Sequence, residues 1–291
     1  MGSSKPSVTI IGTGALGSTL HTFFRDAGYT IRSTWNSKGG LIYSDESGEF
    51  YPIHSLIPKK DSETGDFIFI TAPDDLILKI AGDLSKHPIS WENKIVVHCS
   101  GNLTSDELSV LSEKGAKVVS MHPIQTFRKG DGSDRFKNIS ISLQGDPEAG
   151  DKLQPIIEEM GAKYILLDKQ QKRILHIAAV MASNYFVALM FSVENLLKDA
   201  KLDDGFDALE TLLHQTVTNI FEKRPAKALS GPISRGDSES VKTHLKELER
   251  KDQESLYKTL GLEALKIAEA SGKLSQDQVQ QLKTLLSNSS D

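Results

Sequence analysis

Over the first half of the chain, short β-branched and apolar runs alternate with amphipathic stretches, which predicts a parallel sheet wrapped by helices. Strands are expected at 8–11, 30–35, 67–71, 95–98, 118–121, 139–143 and 164–167, with a helix over about 147–160. Gly28 suits the C-terminal end of the first helix. Thr104-Ser105-Asp106-Glu107 reads as a capping box opening the helix after the fourth of these strands. Between Gly39 and Gly65 the pattern is irregular, with Gly48 and Pro52 as turn signals and room for a small hairpin.

Past Asp168 the β signals stop and a helical period takes over, at about 170–200, 206–222, 238–249, 253–271 and 275–286. The expected architecture is a doubly wound α/β domain, 1–168, followed by an all-α domain, 169–291. A ligand cleft then belongs beyond the carboxyl ends of the strands, where a second domain can close it. The stretch 174–193 carries no charged residue and is long enough to span a bilayer. His176, Ser183, Asn184, Tyr185 and Ser192 interrupt it, and nothing else resembles a second span. A helix buried in a domain core or subunit interface is therefore expected, not a membrane segment.

Composition changes this picture little. The 291 residues are 38% apolar and 25% charged, as in ordinary globular proteins. A net charge of −5 argues against nonspecific nucleic-acid binding, which rests on basic surface. Cys99 is the single cysteine, so no internal disulfide forms. That and the lack of a secretory pattern at the start lead us to expect a cytoplasmic protein.

Candidate chemistry begins where the first strand ends. Gly12-Thr13-Gly14-Ala15-Leu16-Gly17 separates that strand from a helix, an arrangement that suits a dinucleotide pyrophosphate. Gly12 permits the tight turn, Gly14 leaves room for phosphate, and Gly17 allows close packing. The helix N-terminus at Ala15 and Leu16 offers free N–H groups to negative charge. The next strand ends in Trp35-Asn36-Ser37-Lys38, with no acid until Asp45. An acid there would bind the ribose hydroxyls; an amide, a hydroxyl and a cation receive a 2′-phosphate instead. NADP is thus expected over NAD, with Arg32 assisting if it faces the site.

Other strand ends add Ala72 and Pro73 as cofactor-lining backbone, Ser100 beside Gly101 near a nicotinamide ring, and His122 at the same edge. His122 is a candidate proton donor or acceptor, with a purely structural imidazole as the alternative. On a continuous helix His176 and Ser183 fall about 20° apart, and Asn184 about 80° from His176. They form one polar stripe, which either faces a cleft or is tied into a hydrogen-bond network. Lys169 and Lys172, at the start of that helix, read as solvated. Gly231-Pro232-Ile233-Ser234-Arg235-Gly236-Asp237 makes a defined loop in which Arg235 can hold an anion and Asp237 can cap the next helix. No Cys/His spacing suggests a metal.

These motifs resemble an incompletely characterised family of candidate NADP-linked oxidoreductases that pair a Rossmann-like half with a helical domain of unknown function. The resemblance rests on Gly12-x-Gly14-x-x-Gly17, Ala72-Pro73-Asp74, His98-Cys99-Ser100-Gly101 and His122-Pro123. It extends through His176-x-Ala178-Ala179-Val180-x-Ala182-Ser183-Asn184 and Gly231-Pro232-x-x-Arg235-Gly236-Asp237. More distantly the chain is similar to pyrroline-5-carboxylate reductase, prephenate dehydrogenase and the 6-phosphogluconate dehydrogenase superfamily. Those relatives imply a homodimer built through the helical domain, with substrate between nicotinamide and helices. Relatives of the hydroxyacid type carry a lysine one turn before the asparagine; Val180 stands there, so that pair is absent.

The expected function is hydride transfer between NADP and a small polar substrate, a hydroxy or oxo acid or an imine. His122, His176 and Asn184 are the catalytic candidates; Ser100, Ser183 and Arg235 are the substrate-binding ones. A non-catalytic NADP-binding regulator and a deazaflavin-coupled reductase remain as alternatives.

Overall fold

A computed structural model describes residues 5–43, 50–248 and 250–287, in two compact units that divide after Ala182. The first unit holds β1 (Ser7–Ile11), β2 (Thr30–Asn36), β3 (Gly40–Tyr43), β4 (Phe50–Ser55) and β5 (Phe67–Ile70). It continues with β6 (Ile95–His98), β7 (Lys117–Pro123), β8 (Ser140–Gly145) and β9 (Lys163–Leu166). Its longer helices are α1 (Ala15–Asp26), α2 (Asp74–Leu84), α3 (Pro147–Glu159) and α4 (Lys169–Ala182). One sheet runs in the order β3-β4-β2-β1-β5-β6-β7-β8-β9.

Strand periodicity explains the two cores. Val8 and Ile10, Phe67 and Phe69, and Ile95 and Val97 face one side, packing with Leu20 and Phe24 of α1 and Leu153 and Ile157 of α3. Ile11, Ile68, Ile70 and Val96 face the other and pack with Ile77, Ala81 and Leu84 of α2. Burial on both faces makes these strands near-continuous apolar runs, the pattern that identifies them in the sequence. All seven expected strands form, and the irregular region folds as the antiparallel pair β3–β4. Gly48 and Asp45 lie outside the described residues.

Three expectations are corrected. Strand β8 runs antiparallel to β7, because the return over 124–139 holds only a short 3-10 turn and no crossover helix. Thr104 caps nothing with its side chain; Ser105–Leu108 is a 3-10 turn leading into the single turn Ser109–Ser112. The expected helix over 170–200 is interrupted at Ser183, whose φ of −120° and ψ of −73° end α4 and start α5 (Asn184–Asp199).

The second unit contains α5, α6 (Glu210–Lys223), α7 (Ser238–Glu247), α8 (Lys251–Ala270) and α9 (Gln276–Ser287). Its core is small: Val241, Leu265, Leu282 and Leu286, with Ile233, Leu245 and Tyr257 packed around them. Gly261 allows α9 to approach, since a Cβ there would lie 2.7 Å from Leu286 Cδ2. Asp237 accepts from Ser240 N at 3.0 Å and caps α7 as expected. Neither α5 nor α6 buries a residue. Among the described residues, 169–199 is the one helical stretch long and apolar enough to cross a membrane by length and composition, and its apolar window is not buried within the chain, which corrects the domain-core alternative.

Candidate functional site

Parallel pairing of β1, β5, β6 and β7 brings Gly12, Thr71, Ser100, Gly101 and His122 to one sheet edge. Gly12 has φ +113°, and a Cβ there would lie 2.7 Å from Thr71 Oγ1. A Cβ on Gly17 would overlap the Gly12 carbonyl oxygen and come within 2.5 Å of Thr71 Oγ1. Thr71 Oγ1 donates to that same carbonyl at 2.9 Å, locking the turn. Around Gly14 the space for a Cβ is open. These are the properties a phosphate-binding turn requires, so the residues fit a dinucleotide.

Beside the turn lies a cavity of about 800 Å³, lined by Gly12, Thr13, Gly14, Asn36, Ser37, Lys38, Ala72 and Pro73, among others. Asn36 accepts from Lys38 N at 2.8 Å and Gly39 N at 2.6 Å and donates to Thr13 Oγ1 at 2.9 Å. Its amide therefore shapes the loop that presents Ser37 and Lys38. Lys59, Lys79 and Lys86 also line the cavity, contributions the sequence reading missed because they follow other strands or sit on α2. Among the described residues the one carboxylate in the lining, Asp83, is paired to Lys86 at 2.8 Å. Arg32 does not line it; its charge bears on Asp66, which precedes β5 at the opposite edge.

Thr71 and Ala72 are shared with a second cavity of about 240 Å³, lined also by Leu16, Asp74, Ser100, Gly101 and His122. His122 stands in its wall, and His176, outside the lining, converges with it over Gly101. A Cβ on Gly101 would meet His122 Nε2 at 2.9 Å and His176 Nδ1 at 2.5 Å. The rings stand edge to face with centroids 5.8 Å apart. His176 Nδ1 is buried without a hydrogen-bond partner. Burial first, then the charges of Lys172 and His176, lowers the His122 pKa to about 4, so its ring is neutral at pH 7.

The Ser100 turn beneath this pair is rigid. Ser100 Oγ accepts from Asn102 N at 3.1 Å and Leu103 N at 3.0 Å, leaving its own proton to donate. His98 Nδ1 accepts from Ser100 N at 3.2 Å, which assigns the ring proton to Nε2, 2.9 Å from the Thr104 carbonyl. His98 is thus a turn-fixing residue. Burial lowers its pKa to about 4 and raises that of the adjacent Cys99 thiol to about 12, so that thiol is no nucleophile at neutral pH.

Lys172 overturns its expected solvation. It is 1% exposed, and its Nζ donates to the Ser100 carbonyl at 2.8 Å. The polar stripe is also revised, because the break at Ser183 ends the continuous helix on which its angles depended. Ser183, Asn184 and Arg235 belong to the second unit. There Asn184 and Arg235 are exposed, and Arg235 ends the short helix Pro232–Arg235. Among the described residues no group of three metal-ligating side chains occurs.

With this geometry in place, known proteins supply context. Residues 139–264 match a domain of unknown function, DUF2520. No curated protein sequence matches the chain. Among solved structures, a candidate NADP oxidoreductase from Bacteroides fragilis aligns over 91% of this chain and 98% of its own, at 20% identity and TM-score 0.68. A Thermotoga maritima protein aligns over 91% and 99%, at 24% identity and TM-score 0.66. A reductive aminase from Aspergillus terreus, in complex with NADPH and ethyl-5-oxohexanoate, aligns over 97% and 93%, at 14% identity and TM-score 0.57. The first half therefore has the Rossmann-type fold of these structures, and the DUF2520 match runs from the last two strands of the sheet into the helical unit.

Proposed function

We propose that the protein is an NADP-dependent oxidoreductase acting on a small polar substrate, a hydroxy or oxo acid or an imine. One observation carries the reading: His122 Nε2 and His176 Nδ1 converge over Gly101, beside a cavity that shares Thr71 and Ala72 with the dinucleotide pocket. The bound nicotinamide supplies or accepts the hydride. In this reading the Gly12–Gly14 turn and the first N–H groups of α1, at Ala15, Leu16 and Gly17, receive the pyrophosphate. Ser37 and Lys38, with Lys59 nearby in the lining, favour a 2′-phosphate. Ala72 and Pro73 line the path toward Ser100.

His122 and His176 then hold and move the proton that accompanies hydride transfer, at Nε2 and Nδ1. The Ser100 hydroxyl donates to the reacting oxygen or nitrogen. Asn184 and Arg235, both exposed, are assigned as an orienting amide and an anion anchor, and the half-buried Ser183 as a hydroxyl. The fold shared with an NADPH-bound reductive aminase supports the carbonyl and imine substrate class.

The same reading makes the protein a cytoplasmic homodimer through its helical unit. Val187 is 67% exposed and Phe221 74%, on helices that bury nothing within the chain. Helices of this length are marginal in water unless an apolar face is packed.

The test is NADPH consumption against a panel of 2-oxo acids, ketones and cyclic imines. We expect turnover of at least one, with His176→Ala lowering kcat far more than it weakens NADPH binding. NADPH binding with no turnover across the panel would instead support a regulatory protein.

A further inference from the structure

Lys172 has no place in the reading above, yet it is the most costly side chain in the first unit to bury. It is 1% exposed, and among the described residues no carboxylate lies within ion-pair distance of its ammonium. One hydrogen bond, to the Ser100 carbonyl at 2.8 Å, holds Nζ; Ser120 Oγ reaches the same oxygen at 3.4 Å. Burying an ammonium with so little compensation is unfavourable, and an apolar chain of similar length would fill the space without that cost.

Its position shows what the charge can do. Lys172 and His176 stand one turn apart on α4 and so project from the same face. Lys172 reaches Ser100, and His176 reaches Gly101, the next residue. One turn of helix is thereby registered against one turn of loop. We propose that Lys172 is the positioning residue of the imidazole pair: its buried ammonium pins α4 on the Ser100 carbonyl and sets His176 over Gly101, edge to face with His122.

The charged and titratable groups around it agree with this role. Asp74, at the start of α2, favours the charged amine, and the neighbouring Cys99 thiol is uncharged at neutral pH. Burial opposes Asp74 and lowers the Lys172 pKa to about 8, which leaves it mostly protonated at pH 7. Its charge pushes down the protonation of both His98 and His122. A cation between the two imidazoles is disfavoured for the same reason, so the pair is set up to exchange protons and not to bind a metal.

The catalytic consequence rests on the oxidoreductase reading, but the test reads protonation and needs no turnover. Nitrogen and carbon NMR titrations would follow His122 and the Lys172 side chain in the full-length wild type, in Lys172→Met and in Lys172→Arg. In the wild type we expect Lys172 charged at pH 7 and His122 uncharged down to about pH 5. In Lys172→Met the protein should fold with equal or higher Tm, while the His122 midpoint rises by about one unit, a roughly tenfold tighter hold on its proton. Lys172→Arg should keep it low. A neutral Lys172 at pH 7, or an unmoved His122 midpoint in Lys172→Met, would overturn the proposal. So would a Lys172→Arg protein whose His122 midpoint rises as far as in Lys172→Met, because the charge would then not be what acts on the imidazole.

Discussion

The two units of this chain close their cores to different degrees. In the first, each central strand sends alternate residues into one of two large clusters, and Ile10, Ile68, Phe69 and Ile70 are wholly buried. In the second, four residues form the buried core and two helices of fourteen and sixteen residues bury none. A sheet satisfies its apolar faces with helices from its own chain, whereas α5 and α6 keep theirs outward. The first unit thus has the larger closed core, although its last helix, α4, leaves Ile174, Ile177 and Met181 exposed, as α5 and α6 leave theirs.

The largest effect that would break this contrast lies at the glycine turn. Gly17→Val should abolish NADPH binding and lower Tm strongly, since its side chain must overlap the Gly12 carbonyl and Thr71. Calorimetry and thermal melts check both. Gly101→Ala should be more selective, displacing the two imidazoles and cutting hydride transfer by about a hundredfold or more while leaving NADPH affinity within about threefold. Equal losses in binding and turnover would mean that Gly101 serves the fold and not the site.

Exposed helical residues sharpen the comparison from the other side. Val187→Glu with Phe221→Glu should leave a monomer unchanged in Tm, because exposed substitutions cost little. In a dimer packed through α5 and α6 it should dissociate the subunits, as sedimentation would show. Three buried histidines give the first unit an acid sensitivity. Burial lowers the pKa of His21, His98 and His122 to about 4, below their unfolded values near 6.5. Their neutral forms are native, so their contribution is full above pH 6.5 and is lost as pH falls toward 4. Tm should therefore decline across that window, and His98→Asn should flatten the decline. The smallest effect is expected at Asp237→Ala, which removes the α7 cap and costs about 1 kcal/mol.

What the sequence disclosed follows the same division. The strands and the glycine turn were legible because buried parallel strands are short apolar runs and the turn tolerates only glycine. The hairpin was legible only as an irregular stretch with room for one: Gly48 lies outside the described residues, and Pro52, read as a turn signal, stands inside β4 opposite Leu41. The break at Ser183 was not, because neither glycine nor proline marks it and the apolar pattern runs straight across. Lys172 was misread for a general reason: a lysine in the first turn of a helix is almost always solvated, and only the fold reveals a carbonyl waiting for it. His98 entered the sequence reading only as part of the resemblance, and its role as the brace beneath the Ser100 turn comes from the fold. The cations of the dinucleotide pocket were half legible, Lys38 from its strand end, Lys59 and Lys79 only from the cavity they share.

The account's central claim is that the first unit binds a 2′-phosphorylated nicotinamide dinucleotide at its glycine turn. Calorimetric titration of the folded protein with NADPH and then NADH tests it most directly. The account predicts micromolar NADPH binding, at least about tenfold weaker NADH binding, and loss of that preference in Lys38→Ala. Binding of neither dinucleotide would contradict it and leave the glycine turn as architecture alone.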